Sequence, residues 1–281
     1  MNFDTLELGE IALLGIPFDD HSSFLKGAAK APERIRLALH SKSANLCSEN
    51  GLDLSGSSRW SDLGDLDNLK GDEPFLKIEE AIERIVDQGA RPLSLGGDHS
   101  ISYPIVRGVA AARQELTILH LDAHPDLYDE FDGNKLSHAC PFARIMEDGL
   151  VSRLVQVGIR AMNRHQKEQA DRFGIEVLTA REWNSAAELR LTGPLYISLD
   201  MDVFDPAFAP GVSHPEPGGL SSRDVFGILQ SIEAHVVGAD IVELNPDRDP
   251  SDITAMLAAK LLKELLAIMH DGPTDARSND A

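Results

Sequence analysis

The chain has 281 residues, 42% of them apolar, which is long for one domain but enough to build a single large core. It carries 46 Asp and Glu against 26 Lys and Arg, a net charge of −20, so the basic footprint of a nucleic-acid binder is missing and cationic ligands are favoured. No apolar run is long and uninterrupted enough to cross a bilayer, and MNFDTLELGE lacks the regions of a secretory signal; with only Cys47 and Cys140 and no motif spacing, the expectation is a cytoplasmic protein with neither membrane nor nucleic-acid partners.

In chain order, apolar and β-branched runs alternate with helical patterns. Ile11–Gly15 reads as a strand, and the Ser-, Gly-, Asp- and Asn-rich stretch Ser41–Gly71 as a long surface connection. Phe75–Gln88 then reads as a helix, Pro92–Leu95 as a strand, Tyr103–Arg113 as a helix and Thr117–Leu121 as a strand. Ala139–Glu147 is the next expected helix, followed by strand Leu154–Gly158, helix Arg164–Phe173 and strand Leu195–Leu199. Helix Arg223–Ala234, strand Val236–Glu243 and helix Ile253–Met269 complete the alternation. The tail from Asp271 (DGPTDARSNDA) reads as disordered, leaving residues 1–270 as one domain. Strands apolar throughout are buried on both faces, so the expected fold is a three-layer α/β/α domain around a mostly parallel sheet.

In such sheets, ligands bind beyond the carboxyl ends of the strands. Four segments rich in metal-ligating residues fall there: LSLGGDHS, LHLDAHPD, YISLDMDVFDP and IVELNPDRD. Asp122, His124 and Asp126 are two residues apart, as are Asp200 and Asp202, and an extended backbone would put each set on one side. Together with His99 they make four carboxylates and two imidazoles, a donor set that suits Mn²⁺ and leaves Zn²⁺ and Co²⁺ open. Four negative charges balance two divalent ions, and such a pair of ions makes a nucleophile from water near neutral pH. One Asp-x-Asp alone is usually a turn or cap, and His99 after two glycines could simply cap a helix. The coincidence of three such segments at successive strand ends favours a metal site.

GGDHS, DAHPD, SLDMDVFDPAFAPG and VELNP, in this order and spacing, resemble the signatures of the ureohydrolases, the family of arginase and agmatinase. The resemblance runs from LLGIPFDDHSSFLKG through AAKLLKELL. It is strongest to the plant-type arginases, in GNKLSHACPFARIMEDG, LVQVGIRAMN and APGVSHPEPGGLSSRDV. It implies an α/β fold with an eight-stranded parallel sheet, a homo-oligomer (trimer or hexamer), and two Mn²⁺ per subunit, with Co²⁺, Ni²⁺ or Zn²⁺ as substitutes. By motif, His99, Asp122, Asp126 and Asp200 would hold one ion. His124, Asp122, Asp200 and Asp202 would hold the other, with Asp122 and Asp200 bridging. His138 matches the family's proton-shuttling histidine, and Glu243 the carboxylate that binds the guanidinium group. Asp126 would relay a proton to the leaving amine. Without the resemblance, His138 reads as a solvated loop histidine and Glu243 as a structural acid. Asp98 and Asp205 are expected to orient ligands or hold loops. His120 is expected to pack in the core, and His21, His40, His165, His235 and His270 to have ordinary structural or surface roles.

The implied reaction is hydrolysis of a small cationic guanidino substrate, L-arginine, to urea and L-ornithine. Agmatine or another guanidino acid is the alternative substrate. A deacetylase-like amide hydrolase with one zinc and a non-catalytic metal-binding regulator are the rival classes. Common arginases place Asn where this chain has Tyr128, and Asp where it has Asn163; both departures occur in the plant-type pattern. Asn134, Ser137 and Asn163 are expected to offer donors to an α-carboxylate. His214, where many members carry Thr-Gly-Thr before the proline, is expected to line the pocket.

Overall fold

In the computed structural model, which describes residues 3–70, 73–113, 115–184 and 189–271, strands and helices alternate along the chain. The first half runs β1 (Ile11–Gly15), α1 (Ala31–Leu39), β2 (Trp60–Asp65), α2 (Pro74–Asp87), β3 (Arg91–Leu95), α3 (Ser102–Ala110) and β4 (Thr117–Leu121). The second runs α4 (Pro141–Glu147), β5 (Arg153–Ile159), α5 (Arg164–Phe173), β6 (Glu176–Thr179), β7 (Pro194–Asp200), α6 (Ser222–Gln230), β8 (His235–Val242) and α7 (Ile253–Asp271). The strands form one eight-stranded sheet in the order β2-β1-β3-β8-β7-β4-β5-β6, every neighbouring pair parallel.

The two-residue period of the strands divides the core into two layers. Leu13, Leu93, Leu119, Ile197 and Ile241 point to one side and pack with α1, α6 and α7. Ala12, Leu14, Ile118, Tyr196 and Val237 point to the other and pack with α2, α3, α4 and α5. This is the expected three-layer arrangement.

Three elements correct the sequence reading. β2 lies inside the stretch taken as surface connection: WSDLGD has no apolar run because it is an edge strand whose residues are all half-buried or exposed. β6 (EVLT) occupies the opposite edge and is too short and too exposed to give a signal. α1 is a nine-residue helix with Pro at its start, and only Ile35, Ala38 and Leu39 continue its buried face beyond the first turn. The last strand also ends earlier than expected, at Val242, which leaves Glu243 free of the ladder. Asp271 closes α7, and the rest of the tail lies outside the described residues.

The sheet order matters for function. The central neighbours β3, β8, β7 and β4 bring together the ends of strands far apart in sequence, and these are the strands that precede the four ligand-rich segments.

Candidate metal centre

His99 enters from β3 through two glycines. A Cβ on Gly97 would stand 1.7 Å from the carbonyl oxygen of Phe18, so only glycine lets the two segments meet there. Gly96 donates to Ile241 O at 2.8 Å, and Glu243 N donates to Gly97 O at 2.9 Å, which draws the ends of β3 and β8 together. Asp98 caps the following turn by accepting from Ser100 N, and also accepts from His21 N at 3.0 Å and from Ser22 Oγ at 3.3 Å. It therefore holds loops, as Asp205 does by accepting from Ala207 N, Gly218 N and Gly219 N.

The two-residue spacing of the acids works differently from an extended strand. Asp122 Oδ1 accepts from His124 N at 2.6 Å, and Asp200 Oδ1 accepts from Asp202 N at 2.7 Å, so each pair closes a tight side-chain turn. Asp202 Oδ1 in turn accepts from Ala123 N at 3.0 Å and joins the two turns. Arg160 secures the carbonyl side of this loop by donating to Asp202 O, Val203 O, Phe204 O and Glu216 O. Asp126 has φ 48 and Glu243 φ 64, conformations that cost non-glycine residues about 1–3 kcal/mol each and cluster at functional sites.

His99 Nδ1 lies 3.1 Å from Asp122 Oδ2, 3.1 Å from Asp126 Oδ2 and 3.2 Å from Asp200 Oδ2, yet this buried nitrogen makes a properly angled hydrogen bond with none of them. His124 Nδ1 lies 2.9 Å from Asp202 Oδ2 and 3.5 Å from Asp122 Oδ1. Burial and the neighbouring Asp202 and Asp122 push the Asp200 carboxyl well above the usual carboxylate range, and burial and Asp122 raise Asp202 to about 6. Burial also opposes the charged form of Asp122, but His120, His124 and His99 hold it well below its ordinary value. Crowded acids around an unpartnered imidazole nitrogen are arranged to be neutralised by cations, so the residues present fit metal binding.

His120 also stands within ligand distance of His99 and Asp122. Its nitrogens are engaged, however: Nε2 pairs with Asp122 Oδ2 at 2.7 Å, and Nδ1 faces Gln156 Nε2 at 3.0 Å. Its ring stacks on Phe142 at 3.8 Å between centroids. It orients a ligand from the core.

A cavity of about 160 Å³ opens over the cluster, enough for a small molecule but not for a folded partner. His124, Asp126, His138, Asp200, Asp202, His214 and Glu243 line it. His138 Nδ1 lies 2.8 Å from Glu243 Oε1, which also accepts from His99 N at 2.9 Å. Glu243 Oε2 is buried with no partner. Burial opposes the His138 imidazolium, but the Glu243 carboxylate outweighs it and lifts the pKa to about 9. Burial likewise opposes the Glu243 anion, and His138 holds its pKa below the ordinary value.

The structure places Asn134, Ser137 and Asn163 outside this wall. Asn134 Oδ1 accepts from Leu136 N, Ser137 Oγ accepts from Ala139 N, and Asn163 caps α5 while donating to Tyr128 Oη at 2.6 Å. Ser23, Phe131 and Gln166 are in the wall and were not singled out from sequence. Ser23 meets His138 Nε2 through both its N–H, at 3.1 Å, and its hydroxyl, at 2.8 Å. Ser23 and Gln166 are isolated polar residues with no ligand spacing to mark them.

A family model described as the Arginase family matches residues 9–267. Over 273 residues the chain is 49% identical to "Arginase 1, mitochondrial" of Arabidopsis thaliana, covering 91% of this chain and 80% of that one. Against "Agmatinase, mitochondrial" of Gallus gallus the identity is 36% over 277 residues, 92% of this chain and 81% of that one. The solved arginase from Medicago truncatula gives a TM-score of 0.88 at 44% identity, covering 92% of this chain and 87% of that one. The family match runs through every segment that supplies the cluster, and with it the chain belongs to the arginase family and is a ureohydrolase enzyme.

Proposed function

We propose that the chain hydrolyses L-arginine to L-ornithine and urea, with two Mn²⁺ per subunit. One observation carries this reading: Glu243, whose Oε2 has no hydrogen-bond partner, lines the same small cavity as Asp126, Asp200 and Asp202 of the acid cluster. A carboxylate so placed binds a guanidinium by charge-assisted hydrogen bonds and sets its carbon beside the cluster. His99, Asp122, Asp126 and Asp200 would hold one ion, and His124, Asp122, Asp200 and Asp202 the other. Bound there, the ions supply Lewis acidity and a nucleophile from water near neutral pH. Asp126 stands on the cavity side of the cluster, where it can take a proton from the nucleophile and pass it to the leaving amine. His138, whose pKa the Glu243 carboxylate raises, keeps a hydrogen on Nδ1 against Glu243 and can take up or release a second proton at Nε2 beside the cavity. The resemblance in sequence implies a homo-oligomer, trimer or hexamer, which light scattering would measure.

A second reading, agmatine as substrate, is favoured by the wall itself. Tyr128, Phe131, Ala139 and Ala161 line it, whereas Asn134, Ser137 and Asn163 do not. The identity to an arginase of Arabidopsis thaliana, 49% against 36% for an agmatinase of Gallus gallus, weighs the other way. Urea release from arginine, agmatine, guanidinobutyrate and guanidinopropionate decides. The expected result, on the strength of the higher identity to arginases, is a kcat/KM at least about tenfold higher for arginine, a difference of roughly 1.4 kcal/mol; a preference for agmatine would overturn the assignment.

A further inference from the structure

Behind His99, on the side away from the cavity, lies a buried acid with no part in the chemistry above. Asp240 sits within β8 with no exposed surface. Three hydroxyls converge on its carboxylate: Tyr196 donates to Oδ2 at 2.6 Å, Ser102 donates to Oδ2 at 2.8 Å, and Ser198 donates to Oδ1 at 2.8 Å. The same Ser198 Oγ lies 2.9 Å from His99 Nε2.

A hydroxyl has one proton to donate. With that proton on Asp240, Ser198 can only accept from His99, so the imidazole hydrogen sits on Nε2. Nδ1 then keeps its lone pair, and Nδ1 is the nitrogen that faces Asp122, Asp126 and Asp200. The other tautomer would put a hydrogen where a cation has to bind. A ligating histidine generally donates its second N–H to an acceptor that fixes ring and tautomer, and here the acceptor is a serine whose direction is set by an acid one step further back.

We infer that Asp240, acting through Ser198, is the positioning residue that fixes His99 in its metal-binding tautomer. The inference rests on the reading that His99 holds an ion. It concerns one half of the cluster, because the hydrogen bonds from Asp240 through Ser198 lead to Nε2 of His99 and touch no atom of His124.

The test is calorimetric titration of the metal-free full chain with Mn²⁺. Ser198→Ala removes the acceptor of the Nε2 hydrogen. Asp240→Leu leaves Ser198 in place but frees its proton to donate to Nε2. Tyr196→Phe removes one donor to Asp240 and leaves the relay intact. Ser198→Ala and Asp240→Leu are expected to weaken one Mn²⁺ site by about 10–100-fold while the other holds, and Tyr196→Phe to bind as wild type. The melting temperature of metal-free Ser198→Ala should match wild type. Wild-type affinity in Ser198→Ala, or in a folded Asp240→Leu, would overturn the inference. An equal loss in Tyr196→Phe would overturn it too, by showing that packing around Asp240 is what counts. Should Asp240→Leu fail to fold, the contrast between Ser198→Ala and Tyr196→Phe decides. A wild type that takes up no Mn²⁺ would instead contradict the metal reading itself.

Discussion

The two histidines with an Nδ1 turned toward the acid cluster, His99 and His124, occupy very different surroundings. His99 is fully buried at the end of β3, its second nitrogen tied to Ser198 and its backbone N–H to Glu243. The His124 side chain is 25% exposed on the cavity wall, and among the described residues no hydrogen bond reaches its Nε2. Between them lies Asp122, with one oxygen toward each ring. Half of the cluster is therefore built into the core, and half is presented to whatever enters the cavity. A rigid half keeps its geometry at the cost of burying charge; an open half admits substrate.

The sharpest way to break this contrast is Asp122→Ala, which removes the group common to both halves. Urea release should fall to the background of the assay and bound metal should drop together with it. Retention of both ions would show that the halves do not depend on a shared bridge.

Next in size is His138→Asn. Losing an acid–base group should lower kcat roughly a hundredfold or more, with metal content unchanged because His138 touches Glu243 and Ser23 rather than the acid cluster. Full activity from pH 7 to 10 would remove His138 from the proton path.

Glu243→Gln keeps the shape and removes the charge, so kcat/KM should fall on the order of a hundredfold, the value of one or two contacts to a charged group. It should also move His138. An adjacent anion raises an imidazole pKa, so without it the value should fall from about 9 toward the ordinary 6.5, read from the His138 ring proton by NMR. The sign carries over to stability. A pKa raised on folding stabilises fully below 6.5 and is lost as pH rises through 9, and Glu243→Gln should remove that part of the pH dependence. An unmoved His138 would mean that the pair does not set its charge.

The smallest effect sharpens the contrast between the two rings. A chelator should strip metal in two phases, the faster from the exposed His124 side. A single phase would place both ions in equivalent surroundings.

How far all this is legible in sequence depends on how the residues are arranged along the chain. Asp122, His124 and Asp126, or Asp200 and Asp202, announce themselves because each set sits within one segment that the tight turns keep together. The strands that carry them are rich in apolar residues and buried almost from end to end, so the layers and the site's place at their carboxyl ends follow directly. WSDLGD and EVLT carry no such signal, because an edge strand is half exposed and need not be apolar. Ser23 reaches His138 from 115 positions away, and Asp240 hides in the run HVVGADIV, where one acid looks like an interruption of a strand. Asn134, Ser137 and Asn163 are expected in the pocket from the family resemblance of their segments, and the hydrogen bonds that engage them in local turns and a helix cap are visible only in the fold.

The central claim, two ions sharing one set of carboxylates, is tested most directly by anomalous diffraction at the manganese edge on crystals of the Mn²⁺-loaded protein. Two peaks are expected in each subunit, one beside His99 Nδ1 and one beside His124 Nδ1, both in contact with Asp122 and Asp200. A single peak at full loading, or two peaks that share neither carboxylate, would contradict it.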